Sequence, residues 1–239
     1  MAHARSLAFI PARGATQGLP EKHFALVGGQ TLLERVISCA RESAEFDDIV
    51  VSTDSAEIRE AAERAGSRVP FLRPKHLAAD PASILDVTLH ALGELDRSAR
   101  GIETITLLLP TSPLRTAEDV RAAHALYRAS AAPVLMSVTA YEHTPLRAFV
   151  FEDTALMKPL HPEWLERLGA KARGKIPKIV CANGAIVIVD ARALREHKSF
   201  YFGPIVGYEM PPERSVDIDT DQDLLLAQLL LQREAGASE

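Results

Sequence analysis

Ser6-Leu7-Ala8-Phe9-Ile10-Pro11-Ala12-Arg13-Gly14-Ala15-Thr16-Gln17-Gly18-Leu19-Pro20-Glu21-Lys22-His23 carries the reading that decides the fold of this chain. Four consecutive apolar residues, Leu7 to Ile10, suit a strand covered on both faces. The glycines and prolines that follow predict an open, turn-rich loop in which backbone amides and cationic side chains can converge on an anion. Arg13 and Lys22 are the candidate phosphate partners. A Gly/Pro loop after the first strand is also an ordinary connection in α/β proteins, so the rest of the chain decides between the two readings.

Downstream, Thr31 and Glu34 form a capping-box pair ahead of an apolar stripe at helical spacing, Leu32, Leu33, Val36, Ile37 and Ala40. Asp48 to Asp54 predicts a short strand ending in a hydroxyl and a carboxylate. Ser55 to Ala65 predicts a helix that Gly66 closes. A helix over Ala82 to Leu95, a strand over Ile105 to Leu109, a helix over Ala117 to Arg128 and strands over Val134 to Thr139 and Gly184 to Val189 continue the alternation. An amphipathic helix over Leu224 to Leu231 closes the chain. Alternating strand and helix is the pattern of a mainly parallel sheet with right-handed crossovers. Ligands sit beyond the carboxyl ends of such strands, so Pro110-Thr111-Ser112-Pro113 and the Arg13 loop are expected to face one crevice. The alternation breaks between Tyr141 and Ala182, a proline-rich stretch with Trp164 and the basic residues Lys171, Arg173, Lys175 and Lys178. It reads as a lid or oligomer contact embedded in a single domain spanning 1–239.

Composition excludes several classes of function. The chain has 239 residues, 47% of them hydrophobic and 25% charged, an ordinary balance for a globular protein. A net charge of −5 gives no general attraction to nucleic acid or acidic membranes, so a polyanionic ligand must be held by local cations or a metal. Cys39 and Cys181 lack a CxxC spacing, which points to a reduced compartment without structural zinc. With no signal-type apolar region and no transmembrane-length run, a cytoplasmic protein is expected.

Asp217 and Asp219 are the second strong feature. On an extended segment, residues two apart share a face, so both carboxylates aim into one site while Val216 and Ile218 face the core. Two hard oxygen anions suit Mg²⁺, which binds through one or two carboxylates plus substrate phosphates. A solvated strand end, with an aspartate capping the next helix, is the alternative that spacing leaves open. The eight histidines show no metal-ligand spacing.

Together these motifs resemble the cytidylyltransferases that activate sialic acid and related nine-carbon keto-sugar acids, including the legionaminic and pseudaminic acid enzymes. The resemblance runs through IPARG and GLPEKH at 10–23, IVVSTD at 49–54, FLRPKHLAADPAS at 71–83, LLLPTSPLRT at 107–116, NGAI at 183–186 and MPPERSVDIDTDQDL at 210–224. It implies a Rossmann-like nucleotidyltransferase fold, an α/β arrangement with an inserted dimerisation subdomain at 141–182. It also implies CTP as co-substrate, Mg²⁺ as cofactor, a small acidic acceptor, pyrophosphate as by-product, and a homodimer with no nucleic-acid or membrane partner. Carried over by position, Arg13, Thr16, Gln17, Lys22, His23, Arg73 and Ala82 fall at the nucleotide. Asp217 and Asp219 fall at the metal; Arg13, Lys22 and Asp219 are the catalytic candidates; Ile84, Leu109, Arg173, Val187, Phe200 and Tyr201 fall at the acceptor.

Departures from the family pattern sharpen the expectation. Gln17 stands where a lysine is usual and His23 where an asparagine is, so the phosphate loop is short of one cation. Leu109 replaces a glutamine, Ile84 a hydroxyl residue, Val187 an aromatic, and Cys181 lies near a usual arginine. A leucine cannot hydrogen-bond a sugar hydroxyl, and an unpaired buried polar group costs ~1 to 3 kcal/mol. Three readings follow: a cytidylyltransferase for a nonulosonic acid; the same chemistry on an eight-carbon keto-sugar acid or a less hydroxylated acid; or a nucleotide-binding protein with weak or no turnover.

Overall fold

β1 (Arg5–Pro11) lies inside a six-stranded sheet because both of its faces are apolar. Leu7 and Phe9 enter one core cluster and Ala8 and Ile10 the other, the period of two that a strand imposes, and none of the four is more than 2% exposed. The computed structural model describes residues 5–15, 19–79, 81–96, 101–169 and 178–236, so Thr16, Gln17 and Arg173 lie outside the described residues.

A small hairpin, β2 (Leu26–Val27) with β3 (Gln30–Thr31), turns at Gly28, whose φ of 61° and close packing on Leu231 leave no room for a β-carbon. The Thr31–Glu34 capping box then starts α1 (Leu32–Ser43) as the sequence predicts. β4 (Asp48–Ser52) pairs parallel to β1. Ser55 caps α2 (Ala56–Arg64), and Gly66 at φ 95° turns the chain away. Next come α3 (Ile84–Asp96), β5 (Ile102–Leu107), α4 (Ala117–Ala129), capped by a Thr116–Asp119 box, and β6 (Val134–Ala140).

Beyond β6 the chain leaves the main sheet for a separate antiparallel hairpin, β7 (Phe149–Phe151) and β8 (Met157–Pro159), and α5 (Pro162–Gly169). The hairpin leaves Phe149, Phe151 and Met157 exposed. The chain returns as β9 (Val180–Asp190), α6 (Ala191–His197), β10 (Ile205–Glu209) and α7 (Asp221–Gly236). The sheet order is β10-β6-β9-β5-β1-β4, parallel throughout except that β9 runs antiparallel to β5 and β6. The mainly parallel α/β architecture expected from the alternation is therefore the observed one.

α6 and β10 are elements the sequence reading did not contain, the edge strand β10 being only partly buried along its length. A second difference concerns α7. Leu225, Leu226 and Leu229 are exposed while Ala227 is buried, so this helix is leucine-rich on several sides rather than cleanly amphipathic. Its buried side closes a third cluster, Val27, Leu32, Leu114, Ile218 and Ala227, beneath the segment that bears Asp217 and Asp219.

Candidate active site

The carboxyl ends of β1 and β5 open into a cleft of ≈ 370 Å³. Its first wall is built on the junction of β1 with β4. The amide of Ala12 donates to the Ser52 carbonyl at 2.9 Å, and that of Gly14 to Asp54 Oδ1 at 2.8 Å. A β-carbon on Gly14 would lie 3.1 Å from Cβ of Ser55, so this close approach favours glycine. Arg13 emerges between these two ties. Arg73 is pinned from the other side: its amide donates to the Thr53 carbonyl at 2.7 Å, and its guanidinium donates to Ser52 Oγ at 3.2 Å and the Ser52 carbonyl at 2.5 Å. Burial lowers the Arg73 pKa to about 10, with Asp54 opposing and Arg13 adding to the shift. At neutral pH it remains a cation, only 5% exposed and aimed into the cleft wall.

A single 3₁₀ turn, Lys22–Phe24, presents Lys22 and His23 to the same cleft. Lys22 Nζ donates to Asp219 Oδ1 at 2.9 Å and reaches the Ile218 carbonyl at 3.5 Å. His23 is 5% exposed, and neither ring nitrogen makes a hydrogen bond of good geometry. Its pKa falls to about 4, chiefly through burial. The Lys22, Arg73 and Arg13 charges push the same way, and only the backbone of Arg13 opposes them. The ring is thus neutral at physiological pH, with both nitrogens shut off from solvent.

Residues 215–219 form an acidic rim that meets this wall at the Lys22–Asp219 pair. This stretch is irregular and pairs with no strand, yet the expected alternation survives. Ile218 is fully buried, Val216 packs on the same cluster, and Asp217 and Asp219 both line the cleft. The Ile218 amide donates to the Thr111 carbonyl at 2.8 Å, which holds the segment against the end of β5. Asp217 is open to solvent across the mouth of the cleft, but protein crowds its carboxylate. That crowding raises its pKa, Thr111 opposing by a hydrogen bond, Asp219 adding by like charge and Lys22 opposing. The helix-capping alternative fails for these two residues because Thr220 and Asp223 already form the capping pair of α7: the Asp223 amide donates to Thr220 Oγ1 and the Thr220 amide to Asp223 Oδ2.

Two carboxylates, one of them disfavoured as an anion by its surroundings and by its neighbour, make a donor set that a divalent cation would relieve. No group of three or more His, Cys, Asp or Glu able to hold a metal occurs among the described residues. The pair fits an ion such as Mg²⁺ that completes its shell with phosphate oxygens and water, and does not fit a protein-only cage.

The remaining wall is apolar. Leu77, Ala82, Ile84, Val87 and Leu109 line it, where α3 begins with a Ser83–Asp86 capping box. Leu109 approaches Gly184 closely, a β-carbon there lying 3.3 Å from Leu109 Cδ1. Of the residues assigned to the acceptor, Ile84 and Leu109 share this cleft with Arg13, Lys22, His23, Arg73, Ala82, Asp217 and Asp219. Val187 does not line it and packs, half-buried, against the same core cluster as Leu109. Phe200 is 9% exposed within that same core, and Tyr201 is 74% exposed away from the lining. Thr111 and Ser83, which the sequence reading did not assign, both line the cleft. Their signal lay in the quoted blocks: Thr111 follows the strand-ending Pro110, and Ser83 with Asp86 spells a capping box.

Residues 7–168 match the family described as Cytidylyltransferase. Over 95% of its length the chain is 31% identical to CMP-N,N'-diacetyllegionaminic acid synthase of Legionella pneumophila, covering 97% of that protein. It is 29% identical to the pseudaminic acid cytidylyltransferase of Campylobacter jejuni, covering 96% of it. It is 28% identical to the N-acylneuraminate cytidylyltransferase of Streptococcus agalactiae, covering 52% of that longer chain. Among solved structures, CMP:2-keto-3-deoxy-manno-octonic acid synthetase complexed with CTP superposes with a TM-score of 0.70 at 16% identity, over 96% of this chain and 99% of that one. 4-Diphosphocytidyl-2C-methyl-D-erythritol synthase from Anaerococcus prevotii superposes at 0.66 and 14%, over 96% and 97%. These two likenesses speak for the fold alone.

Proposed function

Since the chain belongs to the cytidylyltransferase family, we propose that it transfers CMP from CTP to the anomeric hydroxyl of a sialic-like keto-sugar acid, with Mg²⁺ as cofactor. The observation that carries the reading is the cleft itself. Arg13, Lys22 and Arg73 line it together with Asp217 and Asp219, and Lys22 pairs with Asp219. Cations so placed suit a triphosphate, in a chain whose overall charge is negative.

In this scheme the 2-hydroxyl oxygen of the acid forms a bond to the α-phosphorus while the bond to the β-phosphate oxygen breaks and pyrophosphate leaves. Arg13, Lys22 and Arg73 balance negative charge on the phosphate oxygens, and the burial of Lys22 and Arg73 and the backbone ties flanking Arg13 fix that charge before the substrate arrives. His23, neutral, lines the nucleotide side of the cleft without adding charge to it. Asp219, held by Lys22, orients the attacking hydroxyl and receives its proton on a carboxylate oxygen. Bound Mg²⁺ would be held by Asp217 and Asp219 and would supply charge stabilisation to the transferring phosphate. Positioning and electrostatics supply most of the acceleration in transfers of this type.

We extend the proposal to the assembly and the compartment. The apolar face of the β7–β8 hairpin, Phe149, Phe151 and Met157, supports a homodimer in which the 141–182 insertion covers the partner. A monomer in sedimentation at micromolar concentration would contradict it. The free thiols Cys39 and Cys181 support a reducing, cytoplasmic setting, and no described helix is long and apolar enough to cross a membrane. Recovery of the native protein in an extracytoplasmic fraction would contradict that placement.

A second reading keeps the chemistry and changes the acceptor. The wall of Leu77, Ile84, Val87 and Leu109 favours an acid that presents a deoxy position or a methyl group where sialic acid carries hydroxyls. Pyrophosphate release from CTP and Mg²⁺, measured across nonulosonic acids, eight-carbon keto-sugar acids and simpler hydroxy acids, tests both. Turnover with a nine-carbon acid supports the first reading, preference for a shorter or deoxygenated acid the second, and no turnover with any acceptor rejects both.

A further inference from the structure

A buried carboxylate outside the cleft holds together the elements that carry its acidic rim. Asp119, in the first turn of α4, is 2% exposed. It accepts hydrogen bonds from the Thr116 amide at 3.0 Å and Thr116 Oγ1 at 2.8 Å, from Tyr208 Oη at 3.0 Å, and from Arg214 Nε at 3.0 Å and Nη2 at 2.9 Å. One side chain thus joins the start of α4, the edge strand β10 and the 3₁₀ turn Pro212–Arg214. The Arg214 fork is the part that reaches the rim, because only Ser215 and Val216 separate Arg214 from Asp217.

The intervening backbone is fixed from the other side. Ser215 Oγ donates to the Pro211 carbonyl at 2.8 Å and accepts from Asn183 Nδ2 at 2.9 Å. Asn183 Oδ1 in turn accepts from Ser137 Oγ at 2.5 Å. Thr111 then takes the Ile218 amide. The chain from Arg214 to Ile218 is therefore held at both ends and once between, with the loop after β5 supplying one end anchor through Thr111 and the first turn of α4 the other through Asp119. Nothing of the Asp119 pair lines the cleft, so a contribution to substrate binding is not its use. A planar bidentate pair fixes direction as well as distance, which a lysine in the same place would not.

We infer that Arg214, clamped by Asp119, is a positioning residue that sets the placement of the Asp217 and Asp219 carboxylates for the metal. The inference rests on the proposed function, and its test separates the two. Arg214 is the better handle, because changing Asp119 also removes the α4 cap. Arg214→Gln should weaken Mn²⁺ binding to the protein, read from the free-ion EPR signal, by about 10-fold to 100-fold and lower kcat similarly, as for other residues that orient metal ligands. The KM for CTP should move little, since Arg13, Lys22 and Arg73 are untouched.

Arg128→Gln breaks the Arg128–Glu45 pair, at the other end of the same helix, and serves as the control for a merely structural loss. It should lower the melting temperature without changing Mn²⁺ affinity or kcat. Arg214→Lys, which keeps the charge but not the fork, should fall between wild type and Arg214→Gln and covers the case in which the glutamine variant does not fold. Wild-type Mn²⁺ affinity and kcat in a folded Arg214 variant overturns the inference. Asp217→Asn is the check on the metal assignment itself: unchanged Mn²⁺ affinity there rejects the metal reading, and the positioning role then stands or falls on the kcat of Arg214→Lys.

Discussion

The two long walls of the cleft are made of opposite materials. One gathers Arg13, Lys22, His23 and Arg73, and the other Leu77, Ile84, Val87 and Leu109. The cationic wall is held by hydrogen bonds to backbone and carboxylate, whereas the apolar wall is held by packing on the core beneath α3. The difference teaches what each can select. A charged, pinned wall recognises phosphate whatever it is attached to, while an apolar wall discriminates by the hydroxyls it refuses to pair.

The largest effect should come from the acidic rim that meets the cationic wall. Asp219→Asn removes the partner of Lys22 and one of two candidate metal ligands, while Thr220 and Asp223 still cap α7. Folding should survive and turnover should fall by about 10³-fold or more. Circular dichroism with pyrophosphate release checks it. Near wild-type turnover in Mg²⁺ would sink the assignment.

A smaller effect should come from the apolar wall. Leu109→Gln restores a donor and an acceptor, and should shift kcat/KM toward a fully hydroxylated nine-carbon acid by roughly 10-fold, the value of one hydrogen bond satisfied or left unmade. Competition between N-acetylneuraminic acid and a deoxygenated analogue reads the ratio directly. An unchanged ratio makes Leu109 a packing residue and leaves selectivity elsewhere.

The smallest effect concerns pH. Burial lowers the pKa of His23 in the cationic wall and of His124 on the buried side of α4 to about 4 each, from an ordinary 6.5. Between those values the unfolded chain binds protons that the folded chain does not, so stability falls as pH drops from about 6.5 to 4. His23→Asn should remove part of that slope and leave the part due to His124, a difference of a few degrees in melting temperature. If the melting-temperature profile of His23→Asn parallels that of wild type through this window, the histidine is not buried as a neutral ring.

Much of this was legible in the sequence for reasons that can be named. β1 declared itself because a strand covered on both faces must be apolar throughout. Arg13 and Lys22 could be read because cations beside glycine and proline after a strand have few other uses, whereas Arg73 was named only through the family resemblance. Asp217 and Asp219 were legible through the alternation with Val216 and Ile218, which survives even though no neighbouring strand pairs with them. The aromatic run Phe200-Tyr201-Phe202 was not, because sequence does not say which side of a short turn faces the core. Phe200 is buried there, while Phe202 stacks on His197 with ring centroids 4.3 Å apart. The Asp119–Arg214 pair was equally invisible. Its partners lie 95 residues apart, and an acid in a first helical turn is fully explained by capping until the fold brings the arginine to it.

The antiparallel strand at the centre of the sheet also fixes the order in which this chain can be completed. β9 alone bridges the β4-β1-β5 half to the β6-β10 half. Translation delivers its residues, Val180–Asp190, only after β1, β4, β5 and β6 have all emerged. Until then a growing chain holds the β4-β1-β5 fragment and the lone strand β6, each with an unpaired edge, and the pairing that joins them spans 40 to 86 residues of sequence, from Ala140 with Val180 to Thr104 with Asp190. Such late, long-range closure is slow, and open edges in the waiting state invite association with other chains. The strand that gives the finished sheet its continuity is, for a nascent polypeptide, the last piece whose absence leaves it divided.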